Sequence, residues 1–180
     1  MDRVQLFFKD ASEIAGSDGF SVIRLVDGAQ QCALCVICDR FVTEQIRLRL
    51  KCVEVWPNML PEVLLALMGD DARTLELMVH DVVDGQYHVT LTCQARHHVK
   101  SIRMSEAVLL NVISNTPLYI DGGLMQRQSV PYVFNSSSFP IPINSLSTER
   151  LNKELQRAVD AEDYELASQI HAEILKRTKP

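Results

Sequence analysis

The chain has 180 residues, 47% of them hydrophobic, with seven Gly and seven Pro, enough for one packed domain with a small appendage and too apolar for a disordered chain. Its formal net charge is −5, from 18 Lys and Arg against 23 Asp and Glu; this works against non-specific nucleic-acid binding, because phosphate affinity comes mainly from basic side chains. No apolar run approaches the ~20 residues of a spanning helix, so no membrane partner is expected.

The opening MDRVQLFF carries charge at once and alternates like a strand instead of forming a secretory signal, so a cytoplasmic location is the simplest expectation. RVQLFF, FSVIRLV and QQCALCVI read as three strands, with Asp27-Gly28 as the turn between the second and third. From Asp39 the period changes. DRFVTEQIRLRLK places Phe41, Val42, Gln45, Ile46 and Leu50 at near-helical spacing, with Asp39 as the expected N-cap. A second helix is expected through PEVLLALM, ending at Gly69.

TLELMVHDVVDGQYHVTLTCQ is two alternating runs joined by Asp84-Gly85, the preferred two-residue hairpin turn. A regular register sets Asp81 opposite His88 and His80 opposite Val89, a cross-strand charge pair on a solvated face in preference to a catalytic dyad. HHVKSIR predicts a further strand with His97 and His98 on opposite faces, SEAVLLNVISN a buried helix, and PLYI a short strand. DGGLMQRQSVPYVF predicts a turn, a brief helix and an exit segment. This order predicts an α+β fold with a largely antiparallel sheet and packed helices, followed by a C-terminal helical hairpin.

The five cysteines, an odd number, fit a reducing compartment. Cys32, Cys35 and Cys38 have a spacing open to metal ligation, but alternation along a strand sends Cys35 to the face opposite the other two. They are expected to be small core hydrophobes, with no metal among them.

The body, residues 1–134, resembles the bifunctional nuclease domain family of bacteria and plants. The residues that carry the resemblance are Asp84, Gly85, Tyr87, Leu91, Arg103, Ser105, Ala107, Pro117 and Tyr119, with Glu106 in place of an Asp. The family pattern is an Asp-Gly hairpin, a strand, D-x-R-x-S-D-A-I-A-L-A and then P-I-Y. The resemblance implies an α+β fold and DNase and RNase activity, with Arg103, Ser105 and Glu106 as the catalytic candidates and Mg²⁺ or Mn²⁺ as the metal. There are departures. Ser101 stands where the family has its first Asp, and Ile113 where it has a basic residue; ICDRFV and WPNMLPE replace two further segments. Phosphodiester hydrolysis uses carboxylates for metal, an activated water and a cation against developing charge. One carboxylate and one arginine meet that need thinly, and Ser105 and Glu106 equally suit a helix start. Weakened or lost catalysis is expected, with an active nuclease as the alternative.

NSSSFPIPINSLS, within residues 135–147, reads as a surface linker. Beyond it, residues 148–180 are similar to the UVR motif shared by the B and C subunits of the bacterial excision nuclease and by some protease and kinase regulators. The likeness rests on Leu151, Leu155, Ala158, Glu162, Asp163, Tyr164, Glu165, Ala167, Ile170 and Ile174; His171 and Ala172 replace its Arg-Asp pair. Leu151, Leu155 and Ala158 form one apolar stripe, and Leu166, Ala167, Ile170 and Ile174 another, with Asp163 as the N-cap of the second helix. So small a hairpin needs a second apolar surface, since ordering costs about 1.5 kcal/mol per residue. The resemblance implies that these residues, with Tyr164, bind another copy of the chain or a UVR-containing partner, in a DNA-repair or stress-response setting. Nucleic acid remains a candidate partner through a local basic patch.

Overall fold

A computed structural model describes residues 2–14, 19–51, 58–134 and 141–178. Eight strands form one sheet in the order β6-β5-β4-β7-β1-β2-β3-β8. The strands are β1 (Arg3–Glu13), β2 (Phe20–Asp27), β3 (Cys32–Asp39), β4 (Leu75–Val83), β5 (Gln86–Cys93), β6 (His98–Ile102), β7 (Leu118–Asp121) and β8 (Val130–Pro131). All neighbours are antiparallel except β4 and β7. The body helices are α1 (Arg40–Lys51), α2 (Leu60–Met68), α3 (Met104–Ser114) and α4 (Gly122–Gln128); α5 (Thr148–Asp160) and α6 (Tyr164–Thr178) follow as the C-terminal hairpin. The predicted α+β class and largely antiparallel sheet are therefore observed.

The core is built by one face of the sheet. Leu6, Ile23, Leu25, Leu34, Val36, Leu77, Val79, Leu118 and Ile120 close over Ile46 of α1, Ala107 and Val108 of α3, and Leu124 of α4. These residues recur at every second position of their strands, the period that sends alternate side chains to one face. Helix α3 touches β5 near one edge of the sheet and β3 near the other, so the sheet curves around it. That curvature brings the end of β3 close to the start of β5.

Two local departures matter. The β4–β5 pairing shifts register between Val79 and Asp81: Asp81 still faces His88, but Val79, not His80, faces Val89. His80 is the extra residue of a bulge and meets the Thr90 hydroxyl across the ladder at 2.7 Å. His97 lies in the turn before β6 with φ 51°, so it does not share a strand with His98.

The cysteines sit as alternation requires. Cys38 belongs to the core and Cys32 packs against it, whereas Cys35 is buried outside that cluster. Burial pushes the Cys35 thiol up to about 11 and the Cys38 thiol to about 12. Among the described residues, no group of three or more His, Cys, Asp or Glu side chains is placed to hold a metal ion. No helix of the described residues is long and apolar enough to cross a membrane. Of the expected linker, residues 135–140 lie outside the described residues, as does the Trp56-Pro57 start of WPNMLPE.

Candidate functional site

Helix α3 begins where β6 ends. Arg103 occupies its N-cap with extended backbone and no side-chain cap, and its carbonyl accepts from the Ala107 N–H at 2.9 Å. Ser105 is therefore the second helical residue and not the capping hydroxyl anticipated for it. Glu106 is exposed in the first turn, where a negative charge complements the helix dipole.

A cleft of about 360 Å³ opens at this helix end. Arg103 and Ser105 line it together with Phe20, Asp39, Gly85, Gln86 and Tyr87, and the closing residues of β3 form its wall. Glu106 is not among the lining residues. Of the three catalytic candidates, the fold thus brings two to the cleft and leaves the third outside. It also delivers a carboxylate that sequence reasoning assigned elsewhere. Asp39 was expected to cap α1, yet it makes no capping hydrogen bond among the described residues, and its exposed side chain lines the cleft. Nothing near Arg103 in the sequence signals Asp39; only the curvature of the sheet brings them together. One aspartate does not make a set of ligands for Mg²⁺ or Mn²⁺, ions that seek oxygen donors from several groups. The residues present do not fit that metal.

One side of the cleft is the β4–β5 turn, where Asp84 and Gly85 both take positive φ (48° and 74°), as a two-residue hairpin turn of this hand requires. The C-terminal hairpin is fastened to the same turn. Asp84 accepts from the Thr148 hydroxyl at 2.6 Å and from Arg177 at 3.0 Å. Arg177 also donates to the Leu146 and Asn144 carbonyls. The Arg150 guanidinium lies 3.8 Å from the centre of the Phe20 ring, at the rim of the cleft. Burial lowers the Arg150 pKa, with Glu154, Glu149 and Asp39 opposing the shift. Tyr87 is buried, and among the described residues its hydroxyl makes no hydrogen bond; burial drives its phenol well above the usual value, and the nearby Ser145 side chain only partly opposes that shift. The chain's own body therefore supplies part of the surface the hairpin needs.

Within the hairpin, Ser147 caps α5 and Asp163 caps α6, its carboxylate accepting from the Leu166 N–H at 3.0 Å as anticipated. Helices α5 and α6 pack along each other and bury Leu151 and Ala158 on one side, Ala167 and Ile170 on the other. Leu155 and Ile174 are half-buried. Tyr164 and Leu166 are exposed, together with Val159 and Leu175. The predicted stripes are thus the inner seam of the hairpin for the most part, and a second apolar set lies outside it. Residues 146–176 match the UvrB/uvrC motif. This is the UVR motif, and it covers α5, most of α6, the Ser147 cap and Thr148, with Arg177 just beyond its end. No curated protein matches the chain.

Proposed function

We propose that this protein works by association through its UVR hairpin, with another copy or with a UVR-containing partner, and that its bifunctional-nuclease-like body has weak or no phosphodiesterase activity. The observation that carries the reading is the UVR match over a folded, capped hairpin that still exposes Tyr164, Leu166, Val159 and Leu175. Exposed apolar side chains on a motif of this kind are candidates for burial in a helix-on-helix interface. A DNA-repair or stress-response setting inside the cytoplasm fits such a role.

The nuclease reading draws support from Arg103 and Ser105 lining a cleft with Asp39. Against it stand the position of Glu106 and the single carboxylate. Incubating the purified chain with single- and double-stranded DNA and RNA, with Mg²⁺ or Mn²⁺, tests it: weak or absent cleavage is expected. Robust cleavage lost in both Arg103→Ala and Asp39→Asn would establish an active nuclease. For the tail, sedimentation compares the wild type with a Tyr164→Asp/Leu166→Asp variant. Reduced self-association, or reduced binding to a purified UVR protein, is expected; unchanged association in both assays would remove the tail reading.

A further inference from the structure

Helix α2 is oriented against the usual rule. An amphipathic surface helix turns its apolar stripe inward, yet α2, Leu60–Met68, buries none of its residues. Leu60, Val63, Leu64 and Leu67, spaced i, i+3, i+4 and i+7, are 69%, 36%, 51% and 77% exposed. Those positions form one face of a helix, and here that face looks outward. Met59 precedes it, also exposed. The helix is held by its other side. Glu62 bonds Arg49 of α1 at 2.6 and 3.1 Å, and both side chains are largely buried. Leu48 and Leu50, which flank Arg49, are exposed as well.

We infer that this stripe is a homodimer face, on which α2 packs antiparallel against α2 of a second copy. Three features select a second copy over an unrelated partner. The spacing is palindromic: about an axis between Val63 and Leu64, Leu60 meets Leu67 of the other copy and Val63 meets Leu64, so one stripe complements itself under two-fold symmetry. The stripe is uncharged, and the only charge within α2 is Glu62, engaged by Arg49; pairing two copies therefore opposes no like charges. The ends are also complementary. Asp70 follows the C-terminus of α2, its side chain almost wholly exposed and paired with the similarly exposed Arg73 at 3.5 Å, while among the described residues the N-terminus has no side-chain cap. An antiparallel pair sets the aspartate of each copy beside the positive helix end of the other. The exposed apolar area from Met59 through Leu67 is on the order of several hundred Å² per copy, a substantial part of the ~800 Å² per partner of a standard interface.

The test uses the full chain. Sedimentation at neutral pH should find a self-associating protein whose dissociation constant rises at least tenfold in Leu64→Asp, with the circular-dichroism spectrum and melting temperature retained, because the side chain is exposed. Mixing a Leu60→Cys variant with a Leu67→Cys variant under mild oxidation should give a cross-linked heterodimer, with far less cross-linking of either variant alone. A wild type that stays monomeric to 100 μM, or one whose mass Leu64→Asp leaves unchanged, overturns the inference. Cross-linking confined to Leu60→Cys with itself overturns the antiparallel register. Because the tail variant Tyr164→Asp/Leu166→Asp alters a separate face, failure of this inference and failure of the UVR reading show up in different samples.

Discussion

Arg177 donates to the Asp84 carboxylate at 3.0 Å across 93 positions of sequence, joining the last helix to the tip of the β4–β5 hairpin. Its guanidinium is largely buried while Asp84 is mostly exposed, so the two ends of the bond differ in weight. Loss of the exposed aspartate costs no more than about 1 kcal/mol, because solvent screens it. Loss of the arginine also strips two carbonyls of a charged donor, a cost of about 2–3 kcal/mol. Arg177→Ala should therefore raise hydrogen exchange in α5 and α6 more than Asp84→Ala does. The reverse order would contradict this account.

Acid should loosen the same attachment. The Thr148 hydroxyl first, and then Arg177, hold the Asp84 carboxyl below its ordinary value. A group depressed in the folded state contributes stability above its unfolded pKa and loses it as pH falls through the folded value. Tail protection measured by exchange should be constant near neutrality and fall below about pH 4. In Asp84→Asn this acid step should shrink.

Two glycines separate backbone strain from collision. A Cβ on Gly69 (φ +58°) meets nothing within 4 Å, so Gly69→Ala costs only backbone strain, about 1–3 kcal/mol. A Cβ on Gly85 (φ +74°) would run into the Leu146 carbonyl and lie 2.6 Å from the Ser147 nitrogen. Gly85→Ala should add about 1–3 kcal/mol of overpacking and push the tail off the turn. Limited proteolysis should cut the region between Leu146 and Ser147 faster in Gly85→Ala than in Gly69→Ala.

The buried thiols set an alkaline limit. With Cys35 raised to about 11 and Cys38 to about 12 by burial, the native protein holds protons that the unfolded chain releases near pH 9. Stability from this source is intact below that point and declines as pH climbs toward the folded values. Urea midpoints should fall above pH 9, and less so in Cys38→Ala relative to its own neutral value. At pH 8 both thiols should resist alkylation until urea is added, and metal analysis should find no stoichiometric zinc.

Much of this architecture is legible in periodicity. The alternating runs of β1 to β5, the Asp84-Gly85 turn and the Asp163 cap follow from local chemistry, which acts over a few residues. What escaped is set at longer range. The bulge at His80 is invisible because HDVV alternates acceptably in either register; only packing of Val79 against the core chooses. Asp39 looked like a cap because it precedes a helical run, and its place in the cleft depends on a sheet that curves. Ile170 looked like a contact for another chain, and it is buried inside the hairpin. Stripes announce burial without saying against what. The exposed stripe of α2 shows the converse, since periodicity alone would have turned it inward.

The strand order has a consequence for synthesis. β1–β2–β3 and β4–β5–β6 are consecutive meanders that can pair as each emerges, because their partners lie close in sequence. Among the described residues, the four-residue β7 is what hydrogen-bonds one meander to the other, parallel to β4 and antiparallel to β1. Until residues 118–121 have left the ribosome, a nascent chain therefore displays two open edges, β1 and β4, each able to capture a strand from a neighbouring polypeptide. Chaperones that hold short apolar segments would have their greatest effect in that interval, and substitutions in Leu118 or Ile120 should reduce soluble yield more than their equilibrium cost implies.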